Sequence, residues 1–241
     1  MPATPSQAAS LAALDTPLVS NAVDSLGLRL RNEGFADHSI ACRFPDRPPL
    51  VGHAVTIRIR SAKPPIEGGH FVERTDWWSL FESVPAPRIL VVEDVDPVPG
   101  TGALLGAIHA HLFSALGVAG AVTNGAARGL PEMERLGFGL FSGSLAVGRA
   151  YAHVVGAGMP VRIGGLRIEA GTLLHGDRHG LLALPEGSAE YVLEAARHIA
   201  ERESRIAALC AAPGITPERI REIVAEHNAL PGVGTRHGEA A

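Results

Sequence analysis

Between Asp96 and Glu132 the sequence carries one formal charge other than histidine, Arg128. It follows a run of small residues, Val118 to Thr123, and two turn formers, Asn124 and Gly125. A buried strand that runs into a glycine turn and then presents a lone guanidinium is an arrangement for holding an anion. The forked N–H donors of arginine match a carboxylate at two points at once. The plainer alternative is an ion pair with Glu132 or Asp94. A second anion feature lies upstream, where Arg88–Asp94 places four consecutive aliphatics before two acids and reads as a buried strand. The glycine loop PGTGALLG follows, then a helix of about 13 residues up to Gly117. Strand, loop and helix together put unpaired backbone N–H groups at a helix N-terminus, which favours negative charge. Leu105 stands where a dinucleotide fingerprint needs its third glycine, and no Gly-Lys-Ser/Thr follows, so the loop suits a carboxylate or small phosphate rather than a dinucleotide.

Other groupings carry less. His70, Glu73 and Asp76 fall at helical spacing and can be drawn as a metal site, but without a second ligand cluster a polar face or loop explains them. His109 and His111, two apart on a helix, point to different faces. His175, Asp177 and His179 alternate along an extended segment, where a metal site competes with a hydrogen-bonded turn capped by Asp177; the turn is the stronger reading.

The elements that must position these groups follow from periodicity. Apolar residues from Leu11 to Leu26 keep a helical rhythm that restarts at Asp15-Thr16-Pro17. Ser39–Cys42 suggests a short strand, Gly52–Arg60 alternates as a half-buried strand, and Asp76–Ser83 reads as a helix. After the arginine, Leu130–Leu136 is a short helix and Gly137–Phe141 a strand. Tyr151–Val155 and Pro160–Ile163 are further strands, the latter meeting Leu166–Ile168 across Gly164-Gly165, a hairpin signal. Leu173–Pro185 gives a strand pair with a polar tip. A long amphipathic helix starts near Pro185, and a last helix runs from Thr216 to about Ala229. The tail from Pro231 is expected to be disordered.

The 241 residues can bury a substantial core. A net charge of −4 with scattered arginines gives no basic stripe for nucleic acid or an anionic membrane. Cys42 and Cys210 share no metal or redox spacing. No apolar run approaches a membrane span and no signal segment is evident, so a cytoplasmic protein is expected.

The strings TNGAARGLPEMERLGFGLFSGS and AHVVGAGMPVRIGGLRIEAGTLLHGDRHGLLALP resemble the RraA-like family, which contains class II 4-hydroxy-4-methyl-2-oxoglutarate aldolases and regulators of ribonuclease activity. The resemblance spans roughly residues 11 to 200. It implies an α/β fold, a layered α/β/β/α swivelling-type domain over 1–200; beyond it, the helical pattern and polar end make residues 201–241 a C-terminal helical extension and flexible tail. It also implies trimers or hexamers with the active site at a subunit interface.

For the aldolases the resemblance further implies a divalent metal, Mg2+ or Mn2+, that holds a 2-oxo acid and withdraws charge while a pyruvate enolate forms; the same chemistry decarboxylates oxaloacetate. Carried onto this chain, Arg128 is the carboxylate-binding catalytic arginine, and the amides of Leu104, Leu105, Gly106 and Ala107 complete the substrate cradle. Glu132 can orient metal-bound water, and Asn124 offers a neutral oxygen. The family's acids at two further positions are Ala107 and Gly129 here, which should weaken a cation that wants anionic oxygens. The resemblance therefore admits a lyase, an enzyme that holds the carboxylate without the metal, or a non-catalytic binding protein.

Overall fold

The computed structural model describes residues 1–66 and 75–228. Two helices open the chain, α1 (Pro5–Leu11) and α2 (Thr16–Ser25). The restart predicted between them is present: the Asp15 carboxylate accepts the Leu18 N–H at 2.8 Å, and proline occupies the first turn. Strands β1 (Ala41–Cys42) and β2 (Leu50–Arg60) follow, then a 3-10 turn (Asp76–Ser79) and the single-turn helix α3 (Leu80–Ser83). The central segment is β3 (Arg88–Asp94), α4 (Ala107–Ala115), β4 (Val118–Ala127), α5 (Leu130–Leu136) and β5 (Gly139–Leu145). Then come β6 (His153–Ala157), β7 (Val161–Ile163), β8 (Leu166–Ile168), β9 (Leu173–Asp177) and β10 (Gly180–Ala183). Helices α6 (Ala189–Cys210) and α7 (Pro217–Asn228) close the described chain, and α6 runs without interruption through residue 200.

The main sheet has eight strands in the order β1-β5-β4-β3-β2-β9-β10, with β6 also paired to β2. Strands β2 to β5 are parallel neighbours. One edge of β2 is shared: Leu50 to His53 pair with β9, and Ile57 to Arg60 with β6, both antiparallel. That double pairing curls the sheet towards a barrel. Gly164 and Gly165 take φ of 50° and 77°, the backbone a two-residue primed turn requires, and they close the β7–β8 hairpin as its sequence predicts.

Helices α4 and α5 and the tryptophan turn cover one face around Phe113, Phe138 and Met133. The β7–β8 hairpin covers the other around Ile89, Val91, Val122 and Phe141. Helices α1, α2 and α6 share a third cluster with Val51 and Leu182. With apolar layers on both sides, β2 is buried along nearly its whole length, not half-buried as its alternation suggested. The expected helix at Asp76–Ser83 is only the 3-10 turn and α3, and α4 has 9 residues.

The largest local departure is at Asn124-Gly125. These residues do not turn the chain; they form an irregularity within β4, where Thr123 pairs with Ser142 but Ala126 with Ser144. The cause is a side chain. Asn124 Oδ1 accepts the Asp94 N–H at 2.7 Å and its Nδ2 donates to the Asp94 carbonyl at 3.0 Å, so the amide replaces a rung of the β3–β4 ladder.

Candidate functional site

Parallel strands β3, β4 and β5 end on the same side of the sheet, where open α/β folds bind ligands. The loop after β3 is tied down there by buried carboxylates. Asp94, 2% exposed, accepts Gly100 N–H at 2.9 Å and the Ser61 hydroxyl at 3.1 Å on one oxygen, and Asp96 N–H at 3.1 Å on the other. Ser61 Oγ in turn accepts Gly102 N–H at 3.1 Å. Asp96 takes the Ser61 and Ala62 amides at 2.6 and 2.8 Å. Burial alone would raise the Asp96 pKa, but those amides and the nearby Arg60 outweigh it and hold the carboxyl below its ordinary value.

The held loop delivers Leu104 to Ala107 beside β4. Leu105 forms a parallel bridge with Ala127, and the Arg128 N–H donates to the Leu105 carbonyl at 3.1 Å. The Arg128 side chain then lies across Gly106: a Cβ built there would sit 3.6 Å from Arg128 Nε. Gly106 is the N-cap of α4, and the first amides of a helix have no intrahelical acceptor. The structure therefore brings together four residues that the sequence joined only in prospect, Leu105, Gly106, Ala107 and Arg128. Leu104 is buried and lines a neighbouring cavity.

Neither plain partner of Arg128 is used within the chain. The guanidinium makes no hydrogen bond or ion pair among the described residues, because Asp94 is occupied by Gly100 and Ser61. Glu132 is engaged by His111 Nε2 at 2.6 Å and by Arg135 at 2.5 Å. Those hydrogen bonds, Arg135 first and His111 second, draw the Glu132 pKa below the usual carboxylate range. What remains is a half-buried cation beside the amino end of a helix.

The residues present do not fit a divalent metal of the expected kind. Gly129 and Ala107 offer no side-chain oxygen. Asn124 spends both ends of its amide on the Asp94 backbone, and Glu132 faces His111 and Arg135. No group of three or more His, Cys, Asp or Glu side chains converges as a cation site among the described residues. Of the helical trio drawn earlier, His70 and Glu73 lie outside the described residues. At the β9–β10 tip, Asp177 accepts the Thr16 and His179 amides at 2.9 and 2.8 Å, which is the capped turn and not a metal cluster.

The RraA-like family model, described as Aldolase/RraA, matches residues 16–183. The chain belongs to the RraA-like family. Among RraA-like relatives, a Halalkalibacterium halodurans protein provisionally named 4-hydroxy-4-methyl-2-oxoglutarate aldolase is 29% identical over 120 residues. That match covers 49% of this chain and 56% of the relative, so the chain spans little more than half the length of the curated relative it matches. An uncharacterised protein from Pseudomonas syringae pv. tomato DC3000 superposes with a TM-score of 0.71 at 26% identity, covering 92% of this chain and 95% of that one. RraAS2 of Streptomyces coelicolor, titled an unusual member of the RNase ES inhibitor RraA family, gives 0.66 at 21% identity over 85% and 96%. The last likeness bears on the fold alone.

Within this RraA-like site, sequence reasoning missed Ser61 and the holding role of Asp94. Asp94 carried a local signal as the acid that ends a buried strand before a glycine loop. Ser61 carried none, since its place depends on how β2 lies beside β3.

Proposed function

We propose that this RraA-like protein binds a 2-oxo acid and acts as a carbon–carbon lyase of the aldolase or oxaloacetate decarboxylase type. The observation that carries the reading is the unpaired Arg128 guanidinium laid over bare Gly106 at the amino end of α4. Arg128 would take the substrate carboxylate in a forked grip. The first-turn amides of α4 would face negative charge gathering on the 2-oxo oxygen. In oxaloacetate the bond to the distal carboxylate breaks, its electrons pass into the carbonyl, and carbon dioxide leaves. The resulting pyruvate enolate then takes a proton on carbon. In the related aldolases a divalent ion withdraws this charge; here the side-chain oxygens that would hold one are missing, and the burden falls on the guanidinium and the amides.

Self-association is part of the reading. Val98, Leu145 and Val147 are 74%, 55% and 100% exposed on the segments flanking the site. Those segments are joined where Ala103 N–H donates to the Gly148 carbonyl, and their apolar rim suits a second copy of the chain. No described helix is long and apolar enough to cross a membrane.

A second reading, a non-catalytic member that keeps the anion pocket, is favoured by Gly129 and Ala107 standing where carboxylates would be needed. Pyruvate release from oxaloacetate and from 4-hydroxy-4-methyl-2-oxoglutarate, assayed with and without Mg2+ or Mn2+, separates the two. The lyase reading expects turnover that Arg128→Ala lowers by about 100-fold or more. Absence of turnover from protein that still binds pyruvate supports the second reading.

A further inference from the structure

A cavity of about 590 Å³ opens beside the glycine loop and is separate from the groups used above, apart from Leu104 on its wall. Its lining includes four aromatic side chains, Trp77, Trp78, Phe113 and Tyr151. Trp77 stands edge-on to Trp78 at 6.4 Å between ring centres and packs on Phe113 at 5.8 Å, so the rings form a continuous wall. The volume falls in the range of small-molecule sites.

Thr75, His109 and His153 also line the cavity, and two of its aromatic residues carry donors that are left unused. The indole Nε1 atoms of Trp77 and Trp78 are buried with no hydrogen-bond acceptor. An indole N–H can only donate, and a buried donor left unpaired costs about 1–3 kcal/mol. At the rim stands Arg149, whose guanidinium makes no hydrogen bond or ion pair among the described residues. It is held there by backbone: a Cβ on Gly102 would overlap the Arg149 carbonyl, and Ala150 beside it takes the left-handed φ of 44°. Among the described residues, no aspartate or glutamate lines the cavity.

An aromatic wall, two buried donors without acceptors and the Arg149 cation match a planar ring bearing an acid group. We infer that this cavity binds an aromatic carboxylate, its ring against Trp77, Trp78 and Tyr151 and its carboxylate towards Arg149 and the indole N–H groups. The site is distinct from the Arg128 cradle and does not depend on the activity proposed for it.

The chain has only two tryptophans, and both line this cavity, so intrinsic indole fluorescence reports on it directly. Titration of the full chain with phenylacetate, with acetate and cyclohexylacetate as controls, should change the emission saturably for phenylacetate. Acetate should have no effect and cyclohexylacetate should bind more weakly. Arg149 is exposed, so Arg149→Ala should leave the melting temperature unchanged while weakening phenylacetate at least about tenfold. Arg149→Lys should recover part of the loss, and Arg128→Ala should leave the titration unchanged. Equal binding of phenylacetate by wild type and Arg149→Ala would overturn the proposal. So would its loss in Arg128→Ala alone, which would make the ring a mere appendage of an Arg128 ligand. Absence of any saturable change in wild type would also overturn it.

Discussion

Gly129 meets Ala107 so closely that a Cβ on the glycine would lie 2.9 Å from the Ala107 amide nitrogen. The same glycine has φ of 73° and serves as N-cap of α5. Two constraints therefore select glycine here, left-handed backbone and a close approach to the helix end that faces Arg128. The position is more than a place where a carboxylate has gone missing. Gly129→Ala should lose about 1–2 kcal/mol through the left-handed backbone alone. Gly129→Asp tolerates that backbone better but meets the same amide, so it too should unfold at lower urea, and it should displace the start of α4. Urea midpoints of both variants check this; wild-type midpoints for both would show that the contact yields freely.

The loop that carries the cradle depends on Asp94. Its two oxygens receive three N–H or O–H donors, so Asp94→Asn must turn an NH2 towards at least one of them. A loss of about 1–3 kcal/mol is expected from urea unfolding, with weaker pyruvate binding as the loop loosens. Unchanged stability would mean that the glycine loop is held by something else.

The buried contact between the sheet and the N-terminal helices should make stability depend on pH. His175 is fully buried; its Nε2 donates to the Leu11 carbonyl at 3.0 Å, so Nδ1 is the acceptor for the Thr16 hydroxyl at 3.0 Å. Burial lowers its pKa, only partly opposed by the Leu11 carbonyl and by Asp177. The unfolded chain therefore takes up this proton first as pH falls. Stability is complete above the ordinary imidazole value of about 6.5 and is lost as pH drops below it. His53, neutral with Nε2 accepting the Ala3 N–H at 3.2 Å and also lowered by burial, adds to the same slope. Urea unfolding at pH 7.5, 6.5 and 5.5 should show falling stability, with a shallower slope in His175→Gln. An identical slope in that variant would remove His175 from the account.

Much of this was legible where a local rule has one solution. The Gly164-Gly165 hairpin, the Asp15-Pro17 helix start and the strand Arg88–Asp94 each follow from neighbours in sequence. Asn124-Gly125 carried an equally clear turn signal, yet the chain runs straight on as a strand. There the Asn124 side chain finds the Asp94 backbone 30 residues away, and a pairing between strands overrides local preference. The candidate site divides the same way. Arg128 stood out by its isolation in charge, and Gly106 by its loop. The contact of Gly129 with Ala107 exists only once α4 is laid beside β4, the Ser61–Asp94 clasp only once β2 lies beside β3, and the cavity between Trp77 and Tyr151 only once these distant segments meet.

The account rests on Arg128 holding a carboxylate. Calorimetric titration of pyruvate and of oxalate into wild type, Arg128→Lys and Arg128→Ala tests that most directly. Wild type should bind both, Arg128→Lys should bind more weakly because the forked geometry is lost, and Arg128→Ala should lose at least about tenfold. Equal affinity in wild type and Arg128→Ala would contradict the account, and so would the absence of binding to wild type.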